Sequence, residues 1–383
     1  MQSLLQQRLA LSVFFFLSGF NFASWTSRIP TIKANLHLNE AELGTILLAM
    51  PVSSLIGLPL SGWLVSKFET RIPLTVGFLL NSLCISFIGL AHTPIALIMA
   101  LFLFSLSMRV YNISINTQAL SLQKQSDQKF IGSFHGLWST GGIAGIAFTT
   151  LLVKLEVPMV PHLVMVSVVA LAATLYFSRN LLRNDVAPSG EKKGLRKPDA
   201  YLMYLGLLVF FAAVCEGGMF DWSGIYFQQV VKEEVFTAGY LIFMTCMAAS
   251  RFMSDKIIDR LGMANTYLMS GLFIFCGIAL AVLFPSYWPA MIGFSMVGFG
   301  TAAVIPMTYT LAGASKTYSA GIAISFIVTF GIVGMLLGPP MIGYLAHAFS
   351  LKASFAAFAV SGLMLLPISR LFFQLQRKAA PQP

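Results

Sequence analysis

The stretch LALSVFFFLSGFNFASWTSR, from Leu9 to Arg28, carries no charged side chain before its last residue. As a helix those uncharged residues reach about 28 Å, close to the thickness of the hydrocarbon core of a bilayer. The run is too long for a barrel strand and does not alternate strictly, so it reads as a membrane-spanning helix. It follows Arg8 and has no small-residue cleavage site, so no removable leader is expected. Eleven further runs of this kind lie near 43–65, 72–92, 95–119, 133–154, 159–178, 201–228, 237–258, 265–284, 288–313, 319–346 and 352–373. The predicted fold is an all-α membrane protein of twelve transmembrane helices.

Composition supports this reading. Of 383 residues, 57% are hydrophobic and 10% charged, and the mean hydropathy is +0.80. A soluble domain carries about a quarter charged residues. Disorder, a secreted disulfide scaffold and a soluble enzyme are therefore disfavoured. The four cysteines, Cys84, Cys215, Cys246 and Cys276, sit in apolar runs and read as small hydrophobes.

The net charge is +10. With a cytoplasmic N-terminus, eighteen of the 24 Lys and Arg fall on the cytoplasmic side, six of them in the longest connection, 179–200. Five (Arg28, Lys33, Lys154, Lys232 and Lys352) fall on the other side, and Arg109 lies inside a span. This bias is the positive-inside rule. It predicts a multi-pass inner-membrane protein with both termini cytoplasmic, and explains the basic excess without nucleic acid. The connection divides the chain into six-helix bundles over 1–178 and 201–383, with 179–200 as a basic cytoplasmic linker.

The halves repeat weakly. Trp25, Gly44 and the pair Ser66-Lys67 in the first correspond to Trp222, Gly239 and Asp259-Arg260 in the second. Such a repeat implies two bundles related by a pseudo-twofold axis. The stretch Asp255-Lys256-Ile257-Ile258-Asp259-Arg260-Leu261-Gly262 resembles the loop signature of the major facilitator superfamily. Its first-half counterpart, Gly62 to Arg71, is similar but has Ser66 where an Asp is usual and Glu69 where a Gly is usual. Five further stretches resemble a bacterial branch related to fucose-type sugar permeases and to other inner-membrane permeases: 24–30, 115–118, 134–139, Glu216-Gly217-Gly218 with Asp221-Trp222, and 338–343. The resemblance spans nearly the whole chain. It implies a transporter with a central cavity between its halves, and it does not carry a substrate over.

Ionisable groups deep in a span cost several kcal/mol to insert, about 2.5–3.5 kcal/mol for an arginine at the centre, so they usually serve a cavity or a partner. Arg109 shares a polar helix face with Ser105, Asn112 and Asn116. Its planar fork suits a carboxylate or phosphate, or equally a buried acid such as Glu216 or Asp221 that would lock helices together. Glu216 and Asp221 are the candidate proton-coupling residues, Glu216 foremost. Five positions apart, they lie about 140° apart around a helix, so one can face a cavity while the other packs, for example on Arg28. The remaining candidate substrate-binding residues are Asn21, Trp25, Gln118, His135, Ser139, Trp222 and Tyr226, amides and rings suited to hydroxylated solutes. Each Trp reads equally as interfacial. The candidate gating residues are Arg251, Asp255, Asp259 and Arg260, with Ser66 and Lys67 as a weaker first-half counterpart. Gly141 with Gly145, and Gly334 with Gly338 before Pro339-Pro340, permit close helix packing.

The five histidines show no metal-ligand spacing, and neither metal nor cofactor is expected. A membrane enzyme would need a nucleophile–base pair or metal cluster at membrane depth, and no nucleotide loop, zinc motif or serine elbow is present. The function expected is secondary active transport of a small polar organic solute, sugar-like or an organic anion, by alternating access with proton coupling, in a monomer. A uniporter, an exporter of drugs or metabolites and a transport-inactive sensor are the alternatives.

Overall fold

A computed structural model describes residues 4–125, 131–183, 185, 199–315, 317–318 and 320–379. The helices are α1 (Leu4–Thr26), α2 (Ile29–Asn35), α3 (Glu40–Leu47), α4 (Ala49–Lys67), α5 (Arg71–Gly89), α6 (Pro94–Lys124), α7 (Ile131–Lys154) and α8 (Met159–Phe177). They continue with α9 (Ala200–Tyr226), α10 (Ala238–Leu283), α11 (Tyr287–Thr301), α12 (Val304–Gly313), α13 (Ala320–Ala348) and α14 (Leu351–Ala379). There is no strand among the described residues. Local chemistry sets several ends. Thr93 caps α6 by accepting from the Ala96 amide at 3.2 Å ahead of Pro94, and Asp199 caps α9 through the Leu202 amide at 3.0 Å.

Eleven stretches are long and apolar enough to cross a membrane. The twelfth pass lies within α10, where Gly262 has φ 74° and ψ 158°. A side chain there would be strained, so glycine permits one residue to turn the chain between the arms 238–261 and 263–283. The chain is thus an all-α membrane protein of twelve passes. Exposed apolar side chains, among them Phe87, Val168, Leu175 and Phe252, supply lipid-facing surface. The first pass differs from its expected edges: it begins at Leu4 and resumes after Arg28 as α2.

The chain forms two compact units, Met1–Leu38 with Ile46–Lys193, and Asn39–Thr45 with Gly194–Pro383. In the first, α1 lies against α7 with backbones touching. A Cβ on Gly145 would meet the Phe20 carbonyl oxygen at 2.7 Å, and one on Gly141 would overlap that of Phe16. Around this contact Phe14 packs edge-on to Phe78 at 5.0 Å, Phe78 meets Tyr111 at 4.7 Å, and Phe15 stacks on Phe134 at 5.0 Å. The second unit repeats the device on α9 and α13. A Cβ on Gly338 would meet the Val214 carbonyl oxygen at 3.2 Å, and one on Gly334 would crowd that of Phe210.

Part of the 179–200 connection belongs to the first unit. Leu181 and Leu182 are buried in its core. Asp185 accepts from the Thr70 and Ser121 hydroxyls, each at 2.8 Å, and its carbonyl accepts the Thr70 amide at 2.8 Å. An acid therefore stands at the start of α5, the loop where Ser66 replaces the usual Asp. Residues Lys129, Pro188 to Gly190, Lys192, Lys193, Arg196, Lys197 and Lys316 lie outside the described residues.

Two outcomes are expected in thermal melts of the detergent-purified chain. Gly141→Val should be destabilised by about 1–3 kcal/mol through overpacking, whereas Gly313→Ala, with nothing within 4 Å of its added methyl, should melt as wild type. Asp185→Ala, which strips two hydroxyls of a charged acceptor, should cost about 1.5–3 kcal/mol. Amide exchange should rise first around residues 68–75.

Candidate functional site

The groups at membrane depth form one set within each unit. In the first, the polar face of α6 is anchored to α4. Ser105 donates to the Met50 carbonyl at 2.7 Å, and Ser53 donates to that of Phe102 at 2.6 Å. Arg109, half-buried, donates from Nε to the Ser54 hydroxyl at 2.8 Å and also from Nη2 to the same oxygen. Two turns further on, Asn116 donates to the Asn112 carbonyl at 2.8 Å and to its side-chain oxygen at 3.2 Å. Arg109, Asn112 and Asn116 are all half-buried.

On α1, Asn21 is fully buried, and neither atom of its amide has a partner among the described residues. One turn on, Trp25 is 1% exposed with its indole N–H likewise unpartnered, its ring edge-on to Phe104 at 5.8 Å. Asn81 of α5 donates to the Phe104 carbonyl at 3.0 Å, leaving its own oxygen unpartnered. A buried polar atom without a partner costs about 1–3 kcal/mol, so a concentration of them is unusual away from a functional site.

Other expected members of this set lie elsewhere. Gln118 uses both ends of its buried amide on Leu182, donating to the carbonyl at 3.2 Å and accepting the amide at 3.3 Å. It fastens the connection and has no free edge for a solute. His135 is exposed near the start of α7, edge-on to Phe15 at 5.6 Å, and Ser139 donates back to its carbonyl at 3.4 Å. Arg28, expected on the outer surface or beside Asp221, is 4% exposed. It donates from Nε to His162 Nδ1 at 3.1 Å and from Nη2 to the Val157 carbonyl at 2.9 Å. A histidine accepting at Nδ1 is neutral and carries its proton on Nε2.

In the second unit the central feature is an ion pair. Arg251 Nη2 lies 3.2 Å from Glu216 Oε1, with the Glu216 side chain 8% exposed and that of Arg251 33%. Arg251 was expected at the cytoplasmic end among the gating residues. It sits instead thirteen residues into α10, about 20 Å along the helix. The Glu216 partner is thus a residue of the next helix, and the Nε of Arg251 is buried with no partner. Asp221, half-buried, makes no hydrogen bond or ion pair to any described residue. Trp222 is fully buried with its indole N–H unpartnered. Tyr226, also fully buried, donates to the Ala281 carbonyl at 2.9 Å and packs on Phe355 at 4.4 Å. Its hydroxyl is engaged and its ring is core.

The expected gating residues do not assemble into one network. Ser66 donates to the Trp63 carbonyl at 2.9 Å, Lys67 lies 5.7 Å from the Trp63 ring centre, and Glu69 pairs with Arg71 at 2.6 Å. Asp259 and Arg260 are exposed and without a hydrogen bond or ion pair to described residues, and the Asp255 side chain lies outside them. No group of three or more His, Cys, Asp or Glu side chains comes together among the described residues. Sequence reasoning missed Ser54, Asp185 and the inward placement of Arg251. The one signal for the last was that Arg251 precedes Gly262 by eleven residues, three helical turns.

Residues 11–315 match the family model of the Major Facilitator Superfamily. The chain is 30% identical over 367 residues to an MFS-type transporter of Yersinia pestis, spanning 95% of this chain and 94% of that one. It is 30% identical over 364 residues to a transporter of Sinorhizobium fredii, spanning 92% and 96%. The crystal structure of a D323A mutant of the nucleoside transporter NupG superposes with a TM-score of 0.79 over 96% of this chain and all of that one, at 13% identity, a likeness of fold. With twelve helical passes and a family match over most of its length, the chain belongs to the Major Facilitator Superfamily, a family of multi-pass membrane transporters.

Proposed function

We propose that this protein is a secondary active transporter of a small polar organic solute, sugar-like or an organic anion, driven by protons through alternating access. It works as a monomer of two six-helix bundles, 1–178 and 201–383, in a bacterial inner membrane, with both termini cytoplasmic. It catalyses no chemical conversion and binds no nucleic acid. The observation that carries the reading is the pairing state of the two acids of α9. An acid at membrane depth is neutralised by a cation or by a proton. Glu216 has Arg251 at 3.2 Å, whereas Asp221 has no partner among the described residues. We therefore assign the transported proton first to Asp221, reversing the order expected from sequence. The Glu216–Arg251 pair is the switch that responds to it.

On the solute side, Arg109, Asn112 and Asn116 give a half-buried face with a cation at one end and amides at the other. The unpartnered polar atoms of Asn21 and Trp25 supply further donors and an acceptor. Such a set recognises hydroxyls through amides and a carboxylate through the guanidinium. A free-running uniporter would have no use for the unpartnered acid Asp221, which favours coupling over that alternative. Asp255, Asp259, Arg260, Ser66 and Lys67 remain assigned to the cytoplasmic loops that gate access.

A thermal-shift screen of the purified protein against sugars, sugar acids and nucleosides supplies the solute for two tests. In proteoliposomes with an imposed pH gradient, Asp221→Asn should abolish uphill accumulation and retain solute exchange; undiminished accumulation would remove Asp221 as the proton carrier. Arg109→Ala should weaken binding of an anionic solute by at least about tenfold, as expected for losing a charge-assisted bond. If only neutral sugars bind, and that variant binds them normally, the solute is not an anion. The ion pair makes a separate prediction. Arg251→Ala, leaving a buried carboxylate alone, should destabilise by about 3–5 kcal/mol, and Glu216→Gln with Arg251→Gln should recover much of the loss. Melting temperatures of the two variants, beside wild type, check it.

A further inference from the structure

Away from the candidate site, α14 and the second arm of α10 flank a small open groove of about 200 Å³ at one end of the bundle, with Asn265, Arg370, Gln374 and Arg377 exposed along it. That is below the range of about 300–1,000 Å³ typical of sites that enclose a whole small-molecule ligand. Its depth in the membrane follows from helix arithmetic. Arg370 lies nineteen residues beyond Leu351, where α14 begins. At 1.5 Å per residue that is about 28 Å, one hydrocarbon thickness. Arg377 is seven residues further, about 10 Å on and back on the same face, within the headgroup layer. On the facing arm Asn265 stands three residues after the turn at Gly262, so both walls reach the interface together.

The chemistry of the lining is one-sided. Arg370, Gln374 and Arg377 form a stripe of N–H donors along α14, and Asn265 faces them. No acid lines the pocket, and neither arginine makes an ion pair or hydrogen bond to any described residue. The floor is apolar, with Leu268 and with Phe373, whose ring packs on Tyr267 at 6.1 Å. The exposed Leu272 continues the Asn265 face two turns deeper into the hydrocarbon. Two guanidinium forks at the headgroup level, above an apolar track at acyl-chain level, match an anion that carries a hydrocarbon tail.

We propose that this pocket binds the phosphate of an anionic phospholipid, held between Arg370 and Arg377 with an acyl chain along Leu268 and Leu272. Phosphatidylglycerol and cardiolipin are the chemistry it fits. The site is independent of the transported solute; only the leaflet, cytoplasmic, follows from the orientation proposed above.

The test is a melting titration of the full chain in a zwitterionic detergent with added phosphatidylglycerol, cardiolipin, phosphatidylcholine or inorganic phosphate. Phosphatidylglycerol and cardiolipin should raise the melting temperature of the wild type. For Arg370→Gln/Arg377→Gln the half-saturating lipid concentration should rise by at least about tenfold, the loss expected from removing charge-assisted bonds. Phosphatidylcholine should leave both unchanged. Removing equal charge elsewhere, by Arg8→Gln/Lys67→Gln, should leave the lipid response intact. The proposal is overturned if the pocket variant responds as wild type does, if the remote variant loses the response equally, or if phosphatidylcholine stabilises as well. A full response to inorganic phosphate would assign the pocket to a soluble anion and overturn the lipid. Should the glutamine variant fail to fold, Arg370→Lys/Arg377→Lys keeps the charge and removes the forks. It should bind more weakly than wild type, and equal binding would overturn the bidentate geometry.

Discussion

Within a bilayer a polar group has no water to fall back on, so each one must find its partner inside the protein. Most side chains here obey by the shortest route. Ser82, Ser107, Ser114, Thr149 and Thr174 donate to the carbonyl four residues earlier on their own helix, a bond that needs no second element. Other polar groups reach a neighbouring element: Ser53 and Ser105 between α4 and α6, Arg28 from the turn between α1 and α2 to α8, Glu216 and Arg251 between α9 and α10. Against that background the exceptions stand out. The amide of Asn21, the indoles of Trp25 and Trp222 and the Nε of Arg251 are buried without partners, as are single polar atoms of Ser27, Asn81, His162 and Ser223.

The two units solve their packing problem in the same way. In each, the first pass lies on the fifth through two glycines four residues apart, Gly141 with Gly145 and Gly334 with Gly338. Without a hydrophobic force between helices in lipid, such backbone proximity and the dispersion contacts it permits hold the pair together. Each unit also holds an aromatic cluster in its core. Phe14, Phe78 and Tyr111 serve in the first unit, and Tyr226, Phe294 and Phe355 in the second.

Hydropathy made the helices legible because a bilayer imposes one length and one composition on every pass. The glycine contacts were legible for a related reason, since only close approach explains paired glycines at helical spacing. Partners were not legible. Nothing in the order of residues tells Arg109 that its hydrogen bond goes to Ser54, or Arg251 that it points inward to Glu216, because both depend on which helix lies alongside and how it is rotated. Gln118 was misread for the same reason: an amide in an apolar helix suggests a solute, while its actual neighbour is a backbone segment 64 residues away. The acid missing at Ser66 illustrates the limit from the other side, since Asp185 stands near the same loop from a distant point in the chain.

The single-residue turn at Gly262 bears on how the protein is made. The arm before it, 238–261, carries Arg251 within the span and Asp255, Lys256, Asp259 and Arg260 at the end that meets the turn. The arm after it is strongly apolar. One intervening residue leaves no loop on which a ribosome and translocon could complete the first arm before the second emerges. So short a turn favours entry of the two as a helical hairpin, the apolar arm offsetting the cost of inserting Arg251. Arg251 then enters the membrane where Glu216, already synthesised, can receive it. Biogenesis of the charged helix is in this way tied to the neighbours on either side of it in the chain.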